Sequence, residues 1–200
     1  MIPACILAGG EARRLGGKGK ALIKVSSKTL LDLVLEKLHE QVSLISINTR
    51  DKNVILNKKY VHIEDTFKDV GGAGPLAGVL SAIIWAKKVC PKSKYVLTVP
   101  VDCPFIPHDL VKNLYVATKD HRYDVIVASS NYNIHPVIAI WSVDLLSSLD
   151  LALRSGIRKI DMFTNSYDVK TINWDIKNID PFFNINRPED LIIANTFINS

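Results

Sequence analysis

A glycine-rich stretch near the start of the chain combines residue types that suit phosphate chemistry. It runs from Leu7 to Lys20 and reads LAGGEARRLGGKGK, with glycines at positions 9, 10, 16, 17 and 19. Glycines let the backbone turn its N–H groups toward an anion, and Arg14 and Lys20 supply positive charge to neutralise it. The stretch is therefore a candidate loop for binding a triphosphate.

This loop follows neither of the two commonest nucleotide-binding patterns. The P-loop spacing G-x-x-x-x-G-K-[ST] is missing, because Gly16-Gly17-Lys18 is followed by glycine and the closing lysine is Lys20. The G-x-G-x-x-G start of a dinucleotide-binding fold is missing as well. A flexible glycine-rich turn without a ligand is the plain structural alternative.

A single aspartate follows the apolar run Tyr95–Val99. Asp102 lies between Pro100 and Pro104, whose rings restrict the backbone of the turn. A carboxylate at a strand end suits Mg²⁺, which takes one or two carboxylates together with substrate phosphates. Asp102 is thus the candidate metal ligand, since Asp109 is better placed to cap the following helix.

Amide and carboxylate groups follow two further predicted strands. Asn48 ends the strand Leu44–Asn48, and Asp65 comes directly after the strand Val61–Glu64. Guanine presents N1–H and its 2-amino group as adjacent donors, which one carboxylate can accept together, whereas cytosine has no such pair. Asp65 is therefore a candidate reader of guanine. Ordinary turn formation at strand ends is the alternative for both residues.

Short apolar runs alternate with helical patterns along the chain. This alternation predicts an α/β fold, a three-layer sandwich in which helices cover both faces of a mostly parallel sheet. Ligands bind such sheets beyond the carboxyl ends of the strands, where the three candidate segments lie. The predicted strands are Ile2–Leu7, Leu44–Asn48, Val61–Glu64, Tyr95–Val99, Asp124–Ala128 and Pro136–Trp141, and the predicted helices are Thr29–Gln41, Leu76–Val89, Leu110–Thr118 and Val143–Arg154.

The composition indicates one globular domain over residues 1–200, with a less regular part from about 156 to 183 at the edge of the sheet. With 48% hydrophobic residues and a net charge of +5, the chain needs no disulfide or metal to complete its core. Three cysteines without a C-x-x-C pair indicate reduced thiols and a cytoplasmic location. Apolar runs are too short for a membrane span, and only 8% of residues are aromatic, so neither membranes nor nucleic acids are expected partners.

The loop resembles the signature of nucleotidyltransferases, and the chain as a whole most closely resembles the molybdenum cofactor guanylyltransferase family. LAGG alone is shared by many nucleotidyltransferases, whereas its combination with GPLAG and N-I-N-x-P-E-D-L is much more specific. The resemblance covers essentially the whole chain. It rests on LAGG-x-x-x-R at Leu7–Arg14 with Lys20, GPLAG at Gly74–Gly78, VPVDCPFIP at Val99–Pro107, HP at His135–Pro136 and FFNINRPEDL at Phe182–Leu191.

The resemblance implies a Rossmann-like nucleotidyltransferase fold and a reaction. GMP passes from GTP to the phosphate of molybdopterin, with or without molybdenum, and pyrophosphate is released. The resemblance also implies Mg²⁺ at Asp102, catalytic roles for Arg14, Lys20 and Asp102, and cofactor-delivery proteins and molybdoenzymes as further partners. The residues implied for GTP binding are Leu7, Ala8, Gly9, Lys20, Asn48, Asp65 and Asp102, and those implied for the pterin substrate are Arg158, Asn184 and Asn186.

Two features of the sequence allow other interpretations. The family usually carries aspartate directly before the loop lysine, where this chain has Gly19, so Lys20 is expected to be less constrained. The run Asn186-Arg187-Pro188 also reads as a helix start with Asn186 as its cap. The alternative functions are a cytidylyl or sugar-1-phosphate nucleotidyltransferase, against which GPLAG and N-I-N argue, and a non-catalytic module that binds the pterin cofactor, against which Lys20 and Asp102 argue.

Overall fold

The computed structural model describes residues 2–9, 19–55, 60–67, 74–119 and 122–198. The strands are β1 (Ala4–Leu7), β2 (Lys24–Val25), β3 (Lys28–Thr29), β4 (Ile45–Asn48), β5 (Val61–Ile63), β6 (Tyr95–Pro100), β7 (Val125–Ser130), β8 (Asn133–Ser142) and β9 (Val169–Trp174). The helices are α1 (Leu30–Leu38), α2 (Lys52–Ile55), α3 (Gly74–Val89), α4 (Leu110–Val116), α5 (Leu146–Arg154), α6 (Ile160–Thr164) and α7 (Pro188–Ile198), with 3₁₀ turns at Lys20–Leu22 and Val143–Leu145.

In the described part of the chain, seven strands form one sheet in the order β5-β4-β1-β6-β8-β7-β9. The pairs β5–β4, β4–β1, β1–β6 and β7–β9 are parallel. Strand β8 runs antiparallel to both of its neighbours, β6 and β7. The predicted mostly parallel sheet is therefore confirmed, and strands β2 and β3 form a separate short hairpin.

Helices cover both faces of the sheet, as the alternating pattern predicts. In β1, Ala4 and Ile6 belong to the core cluster that contains α1 and α4. Cys5 and Leu7 belong to the opposite cluster, which contains α3 and α5. Because side chains alternate across a strand, this central strand is buried on both sides, and the three-layer arrangement follows.

Local signals account for where two of the helices begin. Thr29 caps α1, because its hydroxyl accepts a hydrogen bond from Asp32 N while the Asp32 carboxylate accepts one from Thr29 N. Helix α3 begins at Gly74, two residues before the predicted start, with Pro75 in its first turn. The N-terminal turn of α3 therefore reaches the carboxyl edge of the sheet.

The segment from about 156 to 183 is more regular than predicted. It contains α6 and β9, and β9 pairs in parallel with β7 to close one edge of the sheet. Most β9 side chains are exposed, so this edge strand carries no apolar run that would have revealed it. The predicted helix Val143–Arg154 divides into a 3₁₀ turn and α5.

Two further expectations concern the cysteines and membranes. Within the described ranges, all three cysteines are free, and Cys5 and Cys103 are buried. None of the helices in those ranges is long and apolar enough to cross a membrane.

Candidate active site

A cleft of about 410 Å³ opens at the carboxyl ends of β1, β4 and β6, beside the first turns of α3. It is the place where an α/β sheet of this type binds ligands. The side chains and backbone that line it come from residues far apart in the chain. They are Leu7, Gly9, Asn48, Arg50, Asp65, Gly74, Pro75, Gly78, Pro100, Val101, Asp102 and Val137.

Asn48 and Asp65, two residues predicted from strand ends, meet in this cleft. Asn48 Nδ2 donates a hydrogen bond to Asp65 Oδ1 at 3.0 Å, and Asn48 is almost fully buried. On the other side, Arg50 Nη2 lies 3.6 Å from Asp65 Oδ2. A carboxylate has about four acceptor positions, so these two partners orient Asp65 and leave acceptor capacity for a ligand.

Arg50 was missed from the sequence, although a signal was there. It follows Asn48 by two residues, beyond the end of β4, and its side chain is 56% exposed at the cleft. The argument that made Asn48 a candidate ligand-binding residue, its position at the carboxyl end of a strand, applies to Arg50 as well. Its pairing with Asp65 depends on β4 and β5 being neighbours, which the structure establishes.

The last glycine of GPLAG is required by close packing at the floor of the cleft. A Cβ atom at Gly78 would lie 3.0 Å from Leu7 Cδ2 and 3.4 Å from Asn48 Oδ1. Contacts of 3.0 Å are tighter than carbon atoms accept without a shift. Glycine at this position therefore lets α3 approach β1 and β4 while Leu7 and Asn48 keep their places.

A second polar cluster adjoins the cleft at Asp102. Lys20 Nζ lies 2.5 Å from Asp102 Oδ2 and also donates a hydrogen bond to Asn186 Oδ1. The side chains of Lys20 and Asp102 are only 18% and 11% exposed, so water screens their attraction little. Asn186 Nδ2 in turn donates to Asn184 Oδ1 at 2.6 Å. The expectation that Lys20 is less constrained is wrong, because Asp102 and Asn186 hold it.

The side chain of Asp51 packs closely against Gly19. The Oδ2 atom of Asp51 occupies the place where a Cβ at Gly19 would lie. The other carboxylate oxygen, Oδ1, accepts a hydrogen bond from Asn53 N at 2.9 Å. An aspartate at position 19 would therefore displace the side chain of Asp51. In this chain the Asp51 carboxylate already lies beside Gly19, directly before Lys20.

The prediction that Asn186 caps the last helix is wrong. Helix α7 begins at Pro188, so Asn186 lies one residue too early to be its cap. The carboxylate of Asp190 instead accepts hydrogen bonds from Asn186 N and Arg187 N, each at 2.8 Å. The Asn186 side chain is thereby left to contact Lys20 and Asn184.

The remaining predicted site residues have different surroundings. Ala8 is buried and its N–H donates to Asn48 O at 2.9 Å, which extends the β1–β4 pairing to the cleft. Arg158 Nη1 donates to Leu153 O and Ile157 O, and its guanidinium lies over the Phe67 ring. Arg14 lies outside the described residues.

The three residues predicted for the pterin substrate are consequently not brought together as one group. The neighbours of Arg158 belong to the α3–α5 side of the sheet. Asn184 and Asn186 flank Ile185, which is buried on the opposite side and whose N–H donates to Asp102 O. The structure thus joins Asn184 and Asn186 to the Asp102 cluster and places Arg158 between α5 and α6, with its carbonyl oxygen beside Gly74.

Comparison with known proteins shows which family this chain belongs to. Residues 4–168 match the MobA-like NTP transferase domain. The chain belongs to the MobA-like NTP transferase family. It is 42% identical over 194 residues to the molybdenum cofactor guanylyltransferase of Rhodopseudomonas palustris. The aligned residues cover 96% of this chain and 90% of that protein.

Solved structures agree with this membership of the MobA-like family. The molybdopterin-guanine dinucleotide biosynthesis protein A of Archaeoglobus fulgidus matches with a TM-score of 0.79 and 25% identity over 99% of both chains. A Mycobacterium tuberculosis protein in complex with manganese shares the fold, with a TM-score of 0.69 and 12% identity over 98% of this chain and 97% of that one. The predicted resemblance, the fold and the enzyme class, a nucleotidyltransferase, are confirmed.

Proposed function

We propose that this MobA-like chain transfers GMP from GTP to the terminal phosphate of molybdopterin, which forms the guanine dinucleotide cofactor and releases pyrophosphate. Family membership and the names of the relatives support this reaction. The observation that carries the proposal is the position of Asp102, which shares a cleft with Asp65 and also pairs with Lys20. A base-reading carboxylate and a charged phosphate site are thus adjacent.

The base-reading role belongs to Asp65. Asn48 and Arg50 hold its two oxygens from either side, and the acceptor capacity that remains suits the N1–H and 2-amino donors of guanine. The other residues assigned to the nucleoside and the start of the phosphates are Leu7, Ala8 and Gly9, at the end of β1. Leu7 and Gly9 line the cleft directly.

The glycine-rich loop binds the phosphates of GTP, and Arg14 and Lys20 supply the positive charge. An oxygen of the pterin phosphate forms a bond to the α-phosphorus of GTP. At the same time, the bond between the α-phosphorus and the oxygen that bridges it to the β-phosphorus breaks. The electron pair leaves with pyrophosphate, and the cations neutralise its charge. Such transfers need positioning and charge neutralisation rather than a side-chain nucleophile.

The residues at Asp102 fit a divalent cation. Asp102 already holds a cation, the Lys20 ammonium, and no group of three His, Cys, Asp or Glu residues forms a metal cage in the described ranges. One carboxylate beside a phosphate site is the donor set that Mg²⁺ prefers, because substrate phosphates complete its shell. When bound, Mg²⁺ supplies Lewis-acid neutralisation of the α-phosphate and the departing pyrophosphate. The manganese complex of a protein with this fold supports use of a divalent metal.

The acceptor side of the reaction belongs to Asn184 and Asn186. Both are exposed, they are hydrogen-bonded to each other, and Asn186 contacts Lys20. Amide groups beside a lysine suit a substrate that carries a phosphate and a polar ring system. Arg158 is not included in this half because its guanidinium is held by Leu153 O, Ile157 O and the Phe67 ring. Delivery proteins and molybdoenzymes as partners, and a cytoplasmic location, stay predictions.

The test measures pyrophosphate release from GTP or CTP with molybdopterin and Mg²⁺, together with calorimetric binding of both nucleotides. We expect GTP to bind at least about tenfold more tightly than CTP, or about 1.4 kcal/mol. Asp65→Asn should erode this preference, because an amide donor then faces the 2-amino group of guanine. Asp144→Asn, which alters an exposed pair with Arg122, is the matched control.

Each alternative function gives its own result in the same assay. Equal or tighter binding of CTP would replace the guanylyl assignment with a cytidylyl one. Pyrophosphate release with a sugar 1-phosphate but not with molybdopterin would indicate a sugar nucleotidyltransferase. Binding of the pterin without release of pyrophosphate from any nucleotide would indicate a non-catalytic module.

A further inference from the structure

A hydrogen-bonded cluster around the buried Ser130 lies outside the cleft and has no role in the reaction described above. Ser130, at the end of β7, contacts His135 on β8 and Asp180, in the segment between β9 and α7. Ser130 Oγ lies 2.9 Å from Asp180 Oδ2 and 2.6 Å from His135 Nε2, and Ser130 has no exposed surface. Three segments of the chain are thus joined through one hydroxyl group.

The hydrogen-bond donors in this cluster can be assigned. The Asp180 carboxylate only accepts, so the Ser130 hydroxyl donates its proton to Asp180. His135 Nε2 must then carry a proton and donate it to Ser130 Oγ. Burial lowers the pKa of His135, which favours the neutral ring in this tautomer, although Asp180 opposes that shift. Ser130 is therefore a buried link between two partners and not an activated nucleophile.

The cluster anchors the segment that carries Asn184 and Asn186. The second oxygen of Asp180, Oδ1, accepts a hydrogen bond from Phe182 N at 2.8 Å. The Phe182 ring is buried, lies 5.0 Å from the His135 ring and meets Trp174 edge-on. Both the backbone and the side chain of Phe182 are thereby fixed to the β7–β8 pair.

From this anchor the segment runs along the turn that bears Asp102. Cys103 Sγ contacts Phe182 O at 3.5 Å, and Ile185 N donates to Asp102 O at 2.9 Å. Asn186 then reaches Lys20. The contacts therefore form a continuous path from the buried hydroxyl of Ser130 to the lysine of the phosphate site.

The same cluster adjoins an irregularity in β8 that shapes the cleft wall. Val127 pairs with Ala139, but the next residue, Ala128, pairs with His135, so residues 136–138 have no partner on β7. Pro136 lacks an N–H and suits such a bulge. Thr98 Oγ1 donates a hydrogen bond to Val137 O at 2.7 Å and so fixes the bulge to β6. Val137 in turn lines the cleft.

We propose that Ser130, His135 and Asp180 are positioning residues for the acceptor substrate. They hold the segment 180–186 against the Asp102 turn, so that Asn184 and Asn186 face the acceptor phosphate. None of the three lines the cleft. The proposal rests on the proposed function, because the acceptor half of the site is assigned to Asn184 and Asn186.

The first test is kinetic and compares two substitutions at His135. His135→Leu removes the donor to Ser130, whereas the amide nitrogen of His135→Gln reaches the same place. We expect His135→Leu to raise KM for molybdopterin at least about tenfold while KM for GTP changes less than about twofold, and His135→Gln to restore most of the loss. Tyr95→Phe, which removes a hydrogen bond to Tyr123 O from the opposite end of β6, should change neither KM.

The second test reports on the anchor without any catalysis. In a Cys90→Ser background, alkylation of Cys103 is followed by peptide mass spectrometry, because Cys103 is buried and its Sγ contacts Phe182 O. We expect Ser130→Ala and His135→Leu to accelerate alkylation at least tenfold, and Tyr95→Phe to leave it slow. Ser130→Ala is the smaller change and keeps the test decisive should His135→Leu fold poorly.

The two tests separate failure of this proposal from failure of the proposed function. Fast alkylation of Cys103 in folded variants supports the anchor even where the wild-type chain releases no pyrophosphate with molybdopterin. If Cys103 stays as slow as in the wild type, the cluster does not hold the segment and the proposal is overturned. A rise in KM for GTP as large as that for molybdopterin would also overturn it, because the effect would then not be specific to the acceptor half.

Discussion

The two halves of the active site are assembled over very different lengths of chain. Asn48 and Asp65, in the nucleotide half, are 17 residues apart and lie at the ends of adjacent parallel strands. In the half that holds the reacting phosphates, Lys20 meets Asp102 across 82 residues and Asn186 across 166. The first half needs only two neighbouring strands, whereas the second needs the C-terminal segment to dock on the completed sheet.

This difference predicts how the two halves respond to change. Strand pairing holds Asn48 and Asp65 near each other through the backbone, so a substitution there should alter recognition more than structure. Lys20, Asp102 and Asn186 hold one another through side chains, so the loss of one leaves partners unsatisfied. The following predictions test that contrast, beginning with the largest expected effect.

Asp102→Asn should have the largest effect, because Asp102 lies where the two halves meet. Asparagine keeps the shape of the turn and the backbone bond to Ile185 N, but it removes the anionic oxygen that a divalent cation needs. We expect turnover at saturating Mg²⁺ to fall on the order of a thousandfold, or about 4 kcal/mol in the barrier. Circular dichroism should show a folded protein. If the variant kept more than about a tenth of wild-type turnover, Asp102 would not be the metal ligand and its role would be structural.

Lys20→Ala should damage the half that holds the reacting phosphates in both activity and stability. Turnover is expected to fall about a hundredfold, because a cation at the phosphates is lost. The melting temperature should also fall, because an 11% exposed carboxylate loses its partner, at a cost of about 1–3 kcal/mol. Lys24→Ala, at the exposed position of β2, is the control and should leave both measurements unchanged. An unchanged melting temperature would show that the pair with Asp102 contributes little to folding.

Gly78→Ala should weaken the nucleotide half through packing alone. The added methyl group must push Leu7 or Asn48, which should raise KM for GTP about fivefold to tenfold and destabilise the fold by about 1–3 kcal/mol. Gly156→Ala is the control, because its φ of +89° strains the backbone while its Cβ meets open space. It should lower the melting temperature and leave KM for GTP unchanged. Equal KM values in both variants would contradict a role for Gly78 in the cleft.

Arg50→Gln should have the smallest effect. The pair with Asp65 is 3.6 Å long and Arg50 is 56% exposed, and exposed pairs of this kind contribute little. We expect KM for GTP to rise about twofold to fivefold, with the preference over CTP largely kept because Asn48 still orients Asp65. Arg122→Gln, in an exposed pair with Asp144, should change neither value. Complete loss of the preference would make Arg50 the main specificity residue.

The fold and the nucleotide half could be predicted from the sequence because their signals are local. Apolar runs, the Thr29 cap and Pro75 in the first turn of α3 each depend on neighbours in the chain. Because parallel strands end at the same edge of a sheet, Asn48 and Asp65 are expected at that edge. Their exact partners were not evident, and Arg50 was missed because its pairing needs two strands to be neighbours.

The sequence by itself therefore determined the α/β alternation, the glycine-rich loop and the residues at the strand ends, since each depends on spacing along the chain. Only the tertiary structure decided that Asn186 holds Lys20 and does not cap α7, and that Asp51 occupies the space at Gly19. It also decided that Ser130, His135 and Asp180 form one cluster. These contacts join residues up to 166 positions apart, and docking across such distances leaves no periodic pattern in the sequence.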